Sequence, residues 1–95
     1  MLCRHTLKAV GTCPNNGLPD RYRISVYTTG VLMCEEVAAA VDALVAVPCY
    51  QEAMTQALAD RLGCKVKTSC RHLAGGRVAT VCVCQPAATQ ARLAG

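Results

Sequence analysis

The sequence predicts one small α+β domain, built in the order strand, strand, helix, helix, strand, strand, with both helices on one face of an antiparallel sheet. Three observations lead there. Residues alternate between apolar and polar from Tyr22 to Tyr27 and again from Cys64 to His72, the period of a half-buried strand. Between those runs apolar residues recur at helical spacing, in two blocks parted by Pro48. Turn-forming residues mark the changes of period, at Gly30, Gly63 and Gly75-Gly76.

Residues 2–10 are a strand candidate, followed by a loop from Gly11 to Asp20 that collects Pro14, Asn15, Asn16, Gly17 and Pro19. In the second strand Tyr22, Ile24 and Val26 share one side and Arg23, Ser25 and Tyr27 the wetter one, until Gly30 ends the run. A helix from about Cys34 to Val45 carries Val37, Val41, Leu44 and Val45 as its stripe, with Glu35 and Glu36 in the first turn, where the helix dipole favours negative charge. A second helix runs from about Tyr50 to Leu62 and closes at Gly63. In the third strand Lys65, Lys67, Ser69 and Arg71 face one way, while Cys70 and His72 face the other. Gly75-Gly76 turns the chain into a last strand, Val78 to Cys84. The domain is expected to span residues 1–86, leaving 87–95 as a loosely held tail without a repeating apolar face.

A chain of 95 residues buries a modest share of its surface, which makes association with further copies expected. The core must be aliphatic, because there is no Phe and no Trp, and Tyr22, Tyr27 and Tyr50 are the only aromatics. The apolar run from Val37 to Val47 is interrupted by Asp42 and is too short to span a bilayer, and Arg4 and His5 stand where a signal peptide would be apolar. A soluble, cytoplasmic protein without membrane partners is expected. Eight cysteines permit a disulfide framework, but regular apolar periodicity makes such staples unnecessary. The formal charge of +4 permits contact with nucleic acid without requiring it.

The stretch that carries chemistry is Cys13-Pro14-Asn15-Asn16-Gly17-Leu18-Pro19-Asp20, in which turn formers can fold a thiol and a carboxylate toward one point. A thiolate attacks electrophilic carbon, and a neighbouring carboxylic acid delivers or takes up the accompanying proton. The residues alone equally fit a cysteine that fills an apolar gap and an aspartate that stabilises a turn.

Written as Cys-Pro-x-Asn-Gly-x-Pro-Asp, this stretch resembles the Cys-Pro-x-Thr-Gly-x-Pro-Asp signature of the QueF-type nitrile reductases, members of the tunnelling-fold (T-fold) superfamily. The resemblance implies a T-fold whose subunits close into a barrel, with active sites between neighbours. It also implies that Cys13 adds to the nitrile of 7-cyano-7-deazaguanine as a covalent thioimide while Asp20 handles protons. Gln51-Glu52, at the start of the second helix, is similar to the Gln-Glu or His-Glu pair with which these folds anchor a purine or pterin ring. A carboxylate there suits a guanine-like N–H edge, although an acid in the first turn of a helix is common in its own right. His72 falls where the cyclohydrolases of the superfamily carry a histidine; by resemblance it orients substrate, and otherwise it is an ordinary strand-end residue. Glu35 opens the segment that aligns with the reductases' Glu-Ser-Lys-Ser-Leu-Lys motif and is expected at the substrate by that alignment alone.

This chain departs from the reductases in that segment, since Glu35-Glu36-Val37-Ala38-Ala39-Ala40 lacks the lysines that serve NADPH there. Phosphates need cationic or oriented N–H partners, and no dinucleotide-binding glycine fingerprint replaces them. The expectation is therefore a QueF-like amidinotransferase that converts the nitrile to an amidine with ammonia and needs no cofactor. An NADPH-dependent reductase and a non-catalytic purine-binding module are the alternatives. The base is expected either free or within tRNA or DNA, and Arg21, Arg23 and the basic side of the third strand are candidates for phosphate contact or for a merely solvated face. Cys82 and Cys84 share a strand face, but there is no Cys-x2-Cys pair and Ala74 stands where a cyclohydrolase would place a second metal cysteine, so no metal is expected.

Overall fold

A computed structural model describes residues 1–72 and 78–94. The expected order is present: strands β1 (Cys3–Thr12) and β2 (Pro19–Thr28), helices α1 (Cys34–Val45) and α2 (Gln51–Leu62), then strands β3 (Lys65–His72) and β4 (Ala79–Cys84), followed by a further helix, α3 (Ala87–Ala94). The four strands form one antiparallel sheet in the order β1-β2-β3-β4. One face is covered, with α1 lying over β1 and α2 over β3 and β4.

The core between helices and sheet is aliphatic. Ile24, Val26 and Val66 from the sheet meet Val37 and Val41 of α1 and Met54 and Leu58 of α2. The buried side of β2 is Tyr22, Ile24 and Val26, as alternation requires. Helix α2 ends at Gly63, whose φ of +64° lies in the left-handed region, and the Cys64 N–H closes the turn onto the Ala59 carbonyl.

The long loop expected from Gly11 to Asp20 is shorter in the structure. Strand β1 continues to Thr12 and β2 starts at Pro19, so only residues 13–18 turn. Proline is tolerated as the first residue of a strand, where its missing N–H breaks no ladder. Gly11 belongs in the sheet because the Tyr22 ring crosses it: a Cβ there would stand 3.0 Å from Tyr22 Cε2. The Gly75-Gly76 turn lies outside the described residues.

The tail also differs from expectation, since residues 87–94 are helical. Asp60 of α2 accepts the Ala87 N–H at 2.7 Å, adding negative charge at the N-terminus of α3. Gln90 Nε2 donates to the Gln85 carbonyl at 2.7 Å and to Gln56 Oε1 at 3.2 Å. These links are polar, which is why apolar periodicity could not reveal them. Asp60→Ala is expected to cost about 1 kcal/mol, the usual worth of a cap. Hydrogen exchange should then quicken across α3 while β2 and β3 stay protected; unchanged protection in α3 would show that Asp60 does not hold it.

Candidate active site

The β1–β2 turn is built from its own backbone. The Cys13 N–H donates to the Leu18 carbonyl and the Gly17 N–H to the Cys13 carbonyl, both at 2.9 Å, and Asn16 Oδ1 accepts the Leu18 N–H at 2.9 Å. Gly17 has a φ of +71°, which an L side chain rarely adopts. This closure holds Cys13 at the end of β1. The Cys49 N–H then donates to the Thr12 carbonyl at 3.3 Å, tying the connector between α1 and α2 to the same sheet end. Tyr50, Gln51 and Glu52 follow directly, so the start of α2 is brought beside the turn.

The result is a concavity of about 370 Å³, within the range of small-molecule sites. Cys13, Asp20, Gln51, Glu52 and His72 all line it, joined by Asn15, Asn16 and Tyr50. Cys13 is partly exposed, whereas Asp20 is 4% exposed. Asp20 and His72 are direct cross-strand partners, and His72 Nδ1 stands 3.4 Å from Asp20 Oδ1. That spacing is longer than a well-formed hydrogen bond but suits two groups able to share a proton through a small movement.

Gln51 is more occupied than expected for a substrate contact. It is 2% exposed, and its Nε2 donates to Thr68 Oγ1 at 3.1 Å and to the Thr80 carbonyl at 3.0 Å. Thr55 Oγ1 in turn donates to the Gln51 carbonyl and lies 2.7 Å from Thr68 Oγ1. The side chain therefore pins α2 onto β3 and β4. Its Oε1 is buried without a partner among the described residues, and only that atom is free to accept from a ligand. Glu52, one residue on, is exposed at the rim. Glu35 is not part of this lining; it is exposed in the first turn of α1, because the helix turns Val37 and Val41 inward instead.

The sequence reading did not single out Cys70 as a site residue. Its thiol is buried beside Asp20, and the donor atoms of Asp20, Cys70 and His72 all lie within 4.8 Å of one another. Sulfur, nitrogen and oxygen donors at such spacing resemble three ligands of a zinc-like site. The shared face of Cys70 and His72 was visible in the alternation of β3, but their meeting with Asp20 depends on strand register. Burial, then the neighbouring Asp20 carboxylate, pushes the Cys70 thiol up from 9.0 to about 11. Burial and the same carboxylate raise the Tyr22 phenol well above 10.0. Cys82, on β4, is raised first by burial and then by the Glu52 carboxylate. All eight cysteines are free thiols.

The fold and this arrangement can be set against known proteins. No family model matches the chain, and no curated protein matches it by sequence. Among solved structures, it is similar to the crystal structure of an archaeosine synthase QueF-like protein in the apo form. The match has a TM-score of 0.73 at 22% identity and covers 90% of this chain and 92% of that one. The chain thus has the T-fold, the class its strand and helix order defines.

The raised thiol gives a pH prediction. Folding holds the Cys70 proton more tightly than the unfolded chain does, so this stabilisation is complete below about pH 9 and is lost as pH rises through about 11. Tyr22 acts in the same direction above pH 10. Thermal midpoints measured from pH 8.5 to pH 11 should fall, and Cys70→Ala, although less stable throughout, should fall less steeply. Parallel curves would remove Cys70 from the account.

Proposed function

We propose that the chain is a QueF-like enzyme that acts on the nitrile of 7-cyano-7-deazaguanine and converts it to an amidine through a Cys13 adduct. The observation that carries this reading is the meeting of a partly exposed thiol, a buried carboxylate with an adjacent imidazole, and a rim carboxylate around one concavity of about 370 Å³. The likeness of fold to an archaeosine synthase supports the choice of chemistry.

Cys13 gives its thiol proton to the Asp20 carboxylate, Sγ attacks the nitrile carbon as one C–N π bond opens, and Asp20 passes that proton to the nitrogen, leaving a thioimide. His72, 3.4 Å from Asp20, orients that carboxylate. Ammonia then adds to the thioimide carbon, the C–S bond breaks, and the thiol is restored as the amidine forms. No electrons are exchanged, so no redox cofactor is required. Glu52 accepts hydrogen bonds from the ring N–H and exocyclic amine of the base, while Gln51 Oε1 offers one further acceptor. The acidic first turn of α1, with Glu35 and Glu36 both exposed, repels nicotinamide-dinucleotide phosphates and argues against the reductase reading.

Strands β1 and β4 have unpaired outer edges within one chain, and such edges favour pairing with a further copy. In a closed ring the concavity would gain walls from a neighbour, and Glu35 would reach substrate only from there. Sedimentation at working concentration should show an oligomer; a persistent monomer counts against ring closure.

Intact mass spectrometry after incubation with 7-cyano-7-deazaguanine is expected to show a covalent adduct that Cys13→Ala abolishes. Asp20→Asn should slow its formation by about 100-fold or more, as expected for loss of a general acid. Glu52→Gln should weaken binding by tenfold or more, the value of a hydrogen bond to a charged group being about 1.5–3 kcal/mol. Ammonia should release the amidine from the adduct. A wild-type protein that forms no adduct, or an adduct that survives Cys13→Ala, overturns the proposal.

A further inference from the structure

Two adjacent strand pairs at the site end of the sheet place four side chains on one face. Asp20 is directly opposite His72, and Tyr22 directly opposite Cys70. Alternation turns all four toward the helices, where Asp20, Tyr22 and Cys70 are deeply buried. A carboxylate oxygen, a thiol sulfur and an imidazole nitrogen thereby converge, with the donor atoms of Asp20, Cys70 and His72 all within 4.8 Å of one another. Cysteine spacing in the sequence does not show this set, because its members come from two strands.

Spacing distinguishes a proton-sharing pair from a pair of ligands. His72 Nδ1 and Asp20 Oδ1 stand 3.4 Å apart. A charge-assisted hydrogen bond usually measures about 2.7–2.9 Å. Two nitrogen or oxygen ligands of one tetrahedral zinc, at bond lengths of about 2.0–2.2 Å, are separated by about 3.3–3.6 Å. The pair already has that separation. Cys70 completes the third corner with a side-chain movement of about 1 Å, given a zinc–sulfur bond of about 2.3 Å.

The donor set also selects the ion. Magnesium and calcium take oxygen ligands, whereas sulfur with imidazole nitrogen suits zinc. The Asp20 carboxylate and a Cys70 thiolate carry two negative charges between them, and a divalent cation cancels both at a place where unpaired charge is costly. Three protein ligands leave a fourth tetrahedral position. Asp20 and His72 line the concavity and Cys70 does not, which leaves that position to the concavity side. The partly exposed His72 gives an ion its way in. In the neighbouring pair the Tyr22 hydroxyl is buried with no partner among the described residues, and a water carried in by the ion offers it one.

We infer that Asp20, Cys70 and His72 bind one zinc-class divalent cation, and that the metal-bound form cannot run the Cys13 reaction because its acid is held as a ligand. Binding releases the Cys70 proton to solvent, and no electron moves. The site stands independently of the nitrile chemistry, whereas its effect on Cys13 rests on the function proposed above.

Cobalt(II) titration of the metal-free protein tests the site. One equivalent should produce the visible ligand-field bands of tetrahedral cobalt and a near-ultraviolet sulfur-to-cobalt charge-transfer band, and zinc should displace both. Cys70→Ser should abolish the charge-transfer band. His72→Gln, at a partly exposed position that tolerates the change, should weaken zinc binding by about 100-fold or more, at or beyond the upper end of what loss of an outer-shell partner costs. Cys34→Ser, in the exposed first turn of α1, should alter neither. Saturating zinc should slow formation of the 7-cyano-7-deazaguanine adduct by about 100-fold or more, as loss of a general acid does, and a chelator should restore it. Less than one equivalent of cobalt bound, an equal effect of Cys34→Ser, or adduct formation indifferent to zinc overturns the inference. Zinc binding by a protein that forms no adduct when metal-free sinks the proposed function, and with it the effect on Cys13, while the site stands. An adduct formed by a protein that binds no metal does the reverse.

Discussion

The pairing of Asp20 with His72 across β2 and β3 is the constraint on which the site depends. Side chains alternate with a period of two, so a slip of one residue in either strand would send one of these groups to the open face and leave the other alone in the core. The register is held by the apolar pattern on both strands, since the same slip would expose Ile24, Val26 or Val66. The chemistry therefore inherits its geometry from hydrophobic burial. Gly11 belongs to the same constraint, because the Tyr22 ring that shares this sheet end occupies the space its side chain would need.

A second, polar constraint fixes the start of α2. Thr55, Thr68 and Gln51 are buried together and satisfy one another through the Gln51 amide nitrogen and the two hydroxyls. A buried hydrogen bond is worth about 1 kcal/mol net, but an orphaned partner costs more, so the set acts as a positional lock rather than a large source of stability. Its consequence is felt at Glu52, the next residue, whose place at the rim follows from Gln51 being pinned beneath it. A glutamine that reads in sequence as a ligand contact is thus chiefly a strut, with one acceptor left over.

This division explains what was legible in the sequence. The helix from Cys34 to Val45 and the closure of α2 at Gly63 follow from local signals, periodicity and a left-handed glycine, and the structure agrees with both. The loop around Cys13 was visible as a cluster of turn formers, but its extent was overestimated because Gly11 and Pro19, usually breakers, are strand residues here for reasons of packing and ladder position. Cys70 was seen only as a member of a strand face, since its meeting with Asp20 depends on a partner strand about fifty residues earlier in the chain. Helix α3 escaped for a different reason: its described ties are hydrogen bonds accepted by Asp60 and Gln56 and donated by Ala87 and Gln90, which apolar periodicity does not register.

Charge follows the same two-sided logic as burial. Carboxylates are confined to the helical side, where Asp20 and Glu52 border the concavity, and the described sheet cations occupy the opposite side. Because a strand alternates, neighbours such as Asp20 and Arg21 serve both sides without neutralising each other. A single sheet can therefore carry an acid-lined concavity and a cationic face within one strand's length of each other. Mixing the two sets would undo the concavity, because a cationic side chain there would pair with Asp20.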